Sequence, residues 1–218
     1  MSWVQRCFKE PFPGISHLVG ALLSVVALIA LLVRAEGRVW HVVGFAVYGT
    51  SLILLYAAST LAHSIHCSPK TDERLTRLDY SAIFLLIAGT YTPICLVPLR
   101  GPWGWGLLAA IWSMAFLGIW SVWVWRNRRT WARTLIYICM GWLAILAVGE
   151  IVRVFTPSAL AWLVAGGVVY SAGAVVFITD RPHLWPGRFM AHDLWHLMVL
   201  AGSACHFMVM LDFIATHA

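Results

Sequence analysis

Ser59 and His63 stand four residues apart in the run SLILLYAASTLAHSIHC, and His192 and His196 stand four apart in GRFMAHDLWHLMVLAGSACHF. On an α-helix such pairs share one face about a turn from each other, so His192 and His196 can offer two imidazoles to one ion. Asp79, at the head of LDYSAIFLLIAGTYTP, adds a carboxylate where a helix start favours negative charge. With His63, the set supplies three neutral nitrogen ligands and a carboxylate able to hold or polarise a water. Three protein ligands with an open fourth position is the pattern of catalytic zinc. Imidazole suits zinc and no thiolate competes, though iron or nickel would also accept the set. The five cysteines, Cys7, Cys67, Cys95, Cys139 and Cys205, are odd in number and have no Cys-x-x-Cys spacing. They indicate neither a disulfide framework nor a cysteine metal site.

Bringing these residues together requires elements, and composition says which kind. Of 218 residues, 61% are hydrophobic and 11% charged, with 13 Trp and a mean hydropathy of +0.82. An ordinary soluble domain carries roughly a quarter charged residues, so the solvent read from this chain is a bilayer. Apolar stretches of the length needed to cross roughly 30 Å of hydrocarbon run over 17–33, 40–62, 80–97, 103–125, 135–152, 159–179 and 189–214. The expectation is an all-α, seven-transmembrane helix bundle forming one integral membrane domain over residues 1–218. The runs lack the alternation of barrel strands. Glycines inside the spans (Gly44, Gly49, Gly141, Gly166, Gly167, Gly173, Gly202) read as places where helices approach closely.

The net charge of +6 in a soluble protein would hint at nucleic acid. Here the basic residues sit between spans, so they read as topology signals and no nucleic-acid partner is expected. Arg6, Lys9, Lys70, Arg74, Arg77, Arg126, Arg128, Arg129, Arg133, Arg181 and Arg188 fall on one side, against Arg34, Arg38, Arg100 and Arg153 on the other. The positive-inside rule then places the N-terminus in the cytoplasm and the C-terminus outside. The competing reading of the first span is a cleaved signal peptide, since Arg6 and Lys9 precede a run only about 16 residues long. In the seven-span topology, Ser59, His63, Asp79, His192 and His196 all fall at the cytoplasmic leaflet, and a bacterial plasma membrane suits such a chain.

Each of these residues also has an ordinary role open to it. Asp79 can cap the third helix, Ser59 can bond the carbonyl four residues back, and His63 can reach for the interface. The His192–His196 pair is harder to explain away, since two imidazoles on one face in lipid each need a partner. His206 lies about 15 Å further along the same helix and cannot join the ion. His17 begins span one on the same side but has no partner at helical spacing, while His41, His183 and His217 read as loop or interface residues. Asp193 points about 100° away from His192, towards solvent or a supporting role. Glu150 pairs with Arg153, and Trp103, Trp105, Trp123 and Trp125 read as an interfacial belt.

The segments PGISHLVGALL (Pro13 to Leu23), STLAH (Ser59 to His63), LDYSAIFLLIAGTYTP (Leu78 to Pro93) and HDLWHLMVLAGSACHF (His192 to Phe207) make the chain resemble the hemolysin III family. That family is the bacterial branch of the progestin and adipoQ receptor family, which includes the adiponectin receptors. The resemblance implies seven helices with an inward N-terminus and a zinc ion held by His63, His192 and His196. It further implies that Asp79 holds or activates water, with Ser59 beside the site. Many relatives carry a Glu and an Asn before the first helix; here Glu10 is present and Pro13 stands at the Asn position. The adiponectin receptors are similar to alkaline ceramidases, so the expected activity is zinc-dependent hydrolysis of a lipid amide or ester, with membrane lipids, ceramide-like or otherwise acylated, as partners. The alternatives are a pore-forming or membrane-lytic protein, disfavoured because the polar residues cluster in one half of the membrane, and a lipid sensor in which zinc only pins spans two and seven. With so many histidines, a haem-binding cytochrome is a further possibility.

Overall fold

The computed structural model describes residues 9–125 and 130–217. Arg6, Cys7, Arg126, Arg128 and Arg129, which entered the counts above, lie outside them. The described chain is helical, with an isolated Trp185–Phe189 bridge and no strand. In order come α1 (Pro11–Arg34), α2 (Val39–Ser64), α3 (Pro69–Leu96), α4 (Pro102–Val124), α5 (Thr130–Gly141), a 3-10 turn (Leu143–Ala147), α6 (Val148–Val154), α7 (Pro157–Thr179) and α8 (Ala191–Met208). A π-turn (Val209–Phe213) and a 3-10 turn (Ile214–Thr216) extend α8. Among the described residues, seven spans are long and apolar enough to cross a membrane, the fifth built from α5 and α6 and the seventh running to Thr216.

Local chemistry starts these helices. Pro11, Pro69, Pro102 and Pro157 each open a helix in the first turn, where the missing N–H costs nothing. Ser68 and Thr156 cap α3 and α7 by accepting the N–H groups of Thr71 and Ala159. Asp193 reaches back to the Met190 N–H at 2.7 Å and so fastens the start of α8. Asp193, partly exposed, therefore caps the helix.

The third helix departs from expectation. It begins at Pro69, eleven residues before the expected Tyr80, because hydropathy detects contact with lipid and not helicity. Its first turns carry an Arg77–Glu73 ion pair at 2.6 Å one turn apart and a Lys9–Asp72 pair at 2.6 Å. Asp79 thus lies well inside α3, one turn beyond the charged surface turns, and the cap is Ser68.

The central elements are α2 and α3, half and two-thirds buried over their apolar windows. The flanking helices turn broad apolar faces outward, such as Leu22 and Val26 on α1 and Phe116 and Leu117 on α4, as helices surrounded by lipid do. At Gly44 an added Cβ would lie 2.8 Å from Pro93 Cα, and at Gly118 it would strike the Phe84 ring. These two contacts let α2 and α4 close on α3. Gly141 has open space around it; instead of a helix contact it marks the end of α5.

The fifth span is broken there, against the single run expected over 135–152. The Tyr91 hydroxyl from α3 enters the break, 2.9 and 3.0 Å from the carbonyl oxygens of Gly141 and Met140, and accepts the Ala144 N–H at 2.9 Å. Non-helical backbone at membrane depth persists only where protein groups satisfy it. The end of the seventh span is met in the same way. Arg38 donates to the carbonyls of Ala215 and His217 at 2.6 and 2.8 Å, and buried His41 Nε2 lies 3.1 Å from those of Ile214 and His217. His41 is thus part of the bundle and not a loop residue.

Tyr91→Phe leaves the partly buried Ala144 N–H without its acceptor and is expected to cost about 1–3 kcal/mol. Thermal unfolding of the detergent-solubilised protein measures it, and a melting curve equal to wild type would show that other contacts hold the break.

Candidate metal centre

Three helix ends converge at one end of the bundle. His63 sits in the last turn of α2, His192 and His196 in the first two turns of α8, and Asp79 projects from α3 beside them. One nitrogen from each of His63, His192 and His196 can be chosen so that all lie within 4.8 Å of one another. His192 Nε2 and His196 Nε2 are 3.2 Å apart. Asp79 Oδ2 lies 3.8 Å from His63 Nε2. Nitrogen atoms on a tetrahedral zinc with bonds of roughly 2.0–2.1 Å sit about 3.3 Å apart, so the donor set is close to the size of an ion.

These groups open onto a cavity of about 490 Å³. Its polar floor is formed by Ser59, Asp79 and the three histidines, and its walls include Ile83, Tyr137, Phe177, Trp195 and Val199. Arg133 lines the same cavity with its guanidinium 3.9 Å above the centre of the Tyr80 ring, a cation–π distance. Ser59 is fully buried; its hydroxyl acts on the Asp79 carboxyl but makes no hydrogen bond of ordinary geometry among the described residues. The bond to the carbonyl four residues back, open to a serine on a helix, is not made. A buried donor so placed beside three imidazoles fits a site built to receive an ion, a water or a substrate oxygen.

All five residues singled out from the sequence therefore border one cavity. Two more belong to it. Glu10 Oε2 accepts a hydrogen bond from His63 Nδ1 at 2.8 Å and lies 3.6 Å from His192 Nε2. His17, 2% exposed, places a ring nitrogen 3.0 Å from His196 Nδ1. Its partner thus comes from across the bundle rather than from helical spacing. The available signal was the seven-residue interval from Glu10 to His17, which returns to the same helix face after two turns. The His63 N–H holds the Glu10 carboxyl below the usual carboxylate range, against a partial burial that acts the other way. His206 is packed on Gly166 and near the Leu163 carbonyl, away from the three histidines.

Fold and site together define a seven-helix integral membrane protein with a histidine triad able to hold a metal ion. The family model described as Haemolysin-III related matches residues 5–207. Hemolysin-3 of Bacillus cereus is 48% identical over 208 residues, covering 94% of this chain and 92% of the relative. The Hemolysin-3 homolog of Bacillus subtilis (strain 168) is 40% identical over 205 residues, 93% of each chain. At greater distance, the monocyte to macrophage differentiation factor of Homo sapiens is 28% identical over 206 residues, 93% of this chain and 80% of the relative. The chain belongs to the haemolysin III-related family.

A hydroxyl buried without a hydrogen bond of ordinary geometry costs stability, on the order of 1–3 kcal/mol. Ser59→Ala is therefore expected to raise the melting temperature of the metal-free protein, as substitutions at functional positions often do. A lower melting temperature would mean that the hydroxyl is satisfied and structural.

Proposed function

We propose that this protein is a zinc-dependent hydrolase that cleaves an amide or ester bond of a membrane lipid at the cytoplasmic leaflet. The observation that carries the proposal is the grouping of the buried Ser59 hydroxyl and the Asp79 carboxylate with three imidazoles on the floor of a cavity whose walls are largely apolar. His63, His192 and His196 would hold the ion. The chemistry a bound zinc supplies is Lewis acidity, which polarises a carbonyl and brings the pKa of water towards neutrality.

The remaining work falls to the chain itself. Asp79 takes the proton that water loses as it adds to the scissile carbonyl, and passes it to the departing nitrogen or oxygen when the carbon–heteroatom bond breaks. Ser59 donates its hydroxyl to the oxygen on which negative charge develops. The aliphatic and aromatic walls hold an acyl chain while the polar linkage stays near the triad. A ceramide-like lipid, with an amide at the interface and its tails in lipid, matches that division. The leaflet assignment rests on charge. Lys9, Lys70, Arg74, Arg77, Arg133, Arg181 and Arg188 belong to helix ends and links on the triad side of the bundle, which supports a cytoplasmic position in a bacterial plasma membrane.

Protein purified in detergent is expected to release fatty acid from ceramide-like substrates, and to lose that activity on chelation and in His196→Ala. Metal bound at normal stoichiometry with no turnover over a broad panel of amide and ester lipids would sink the hydrolase reading. Zinc content by elemental analysis tests the metal itself. Each of His63→Ala, His192→Ala and His196→Ala should reduce it, and unchanged zinc in all three would remove the basis of the mechanism.

A further inference from the structure

Helix α1 contributes none of the three histidines, and much of its surface faces lipid. Leu22 and Val26 are more than 60% exposed. Its inward stripe, however, meets the site twice. The first meeting is at Glu10, just ahead of the helix. There the backbone is fastened to the end of α2, Glu10 N–H donating to the His63 carbonyl at 2.8 Å and Lys9 N–H to that of Ser64 at 3.3 Å. The Lys9 ammonium pairs with Asp72 at the start of α3 at 2.6 Å. The Glu10 carboxylate is thus held in place by main chain and ion pair before its own side chain is considered, and it accepts the His63 Nδ1 proton at 2.8 Å.

The second meeting is at His17, two turns on. Both His17 ring nitrogens approach His196 Nδ1, Nε2 at 3.0 Å and Nδ1 at 3.2 Å, and Nε2 is also 3.4 Å from the His196 carbonyl. In the tautomer that gives Nε2–H to that carbonyl, His17 Nδ1 accepts the proton of His196 Nδ1. The edge of the Tyr56 ring, 4.9 Å between centroids, keeps the His17 ring upright. Both contacts have the same chemical consequence. An imidazole whose Nδ1 carries the proton presents an unprotonated Nε2, and Nε2 of both His63 and His196 is the nitrogen on the side of the triad.

We infer that Glu10 and His17 are positioning residues, through which α1 fixes the tautomer and ring orientation of His63 and His196 for metal binding. The inference rests on the metal reading above but not on hydrolysis. A carboxylate or imidazole behind a ligand histidine typically contributes 10–100-fold to metal affinity.

The test uses the full chain in detergent, with zinc affinity measured by competition against a chromophoric chelator and the visible spectrum of the Co²⁺-loaded protein recorded beside it. Glu10→Ala and His17→Phe are each expected to weaken zinc binding about 10–100-fold and to shift the Co²⁺ bands, a change that simple loss of stability does not produce. Glu10→Gln, which keeps an acceptor for the His63 proton, should fall between Glu10→Ala and wild type. Asp72→Asn, which frees Lys9 without touching the triad, should give a smaller loss of affinity and serves if Glu10→Ala does not fold. Wild-type affinity and an unchanged Co²⁺ spectrum in Glu10→Ala or Glu10→Gln and in His17→Phe would overturn the inference while leaving the metal site standing. A wild-type protein that binds neither ion would overturn the metal reading and this inference together.

Discussion

Inside the hydrocarbon of a bilayer there is no water to satisfy a polar group, so every donor and acceptor must find its partner within the protein. That constraint organises this bundle. It turns the imidazoles of His63, His192 and His196 towards each other and towards Glu10 and His17. It brings the Tyr91 hydroxyl from α3 into the broken fifth span, and Arg38 and His41 to the last carbonyls of the seventh. Among the described residues the constraint is left unmet at three buried hydroxyls, those of Tyr48, Ser59 and Ser64, and of these Ser59 lines the cavity at the triad.

The position of the site at a bundle end follows from the same physics. Helix ends are where side chains from three helices can meet without crossing the packed middle, and where a half-exposed carboxylate such as Glu10 can remain ionised. The middle is closed by large buried side chains, among them Phe45, Tyr48, Tyr56 and Phe84, and by close backbone contacts at Gly44 and Gly118. A cavity that is polar at its floor and apolar along its walls therefore opens at the triad end. Such a space suits an amphiphile whose polar linkage and hydrocarbon tail are contiguous, which is the physical content of the lipid-hydrolase proposal.

Similarity extends over most of the chain for the two Bacillus relatives and the human one, so what they share is a whole bundle and not a grafted segment. The stretch from Glu10 to His196 that frames the triad lies inside the residues matched by the family model. The first helix is the element whose role is least apparent from exposure alone. Most of its faces meet lipid, yet it supplies the two groups that stand behind His63 and His196.

Much of this was legible in one dimension. Seven spans follow from the length and density of apolar runs, because the bilayer imposes a fixed thickness. The Ser59–His63 and His192–His196 pairs follow from helical periodicity, which places residues four apart on one face. Three features were not legible. The charged first turns of α3 are invisible to hydropathy, so Asp79 was expected at a helix start and is found inside the helix. The break after Gly141 depends on a hydroxyl 50 residues away. Glu10 and His17 gain their meaning only from partners 53 and 179 residues distant. By itself, then, the sequence determined the solvent, the number of crossings and which side chains were chemically available, since each is a local property of a run or a turn. The tertiary structure alone decided which of those side chains touch, because in lipid a polar group is satisfied by whichever helix packing brings within about 3 Å.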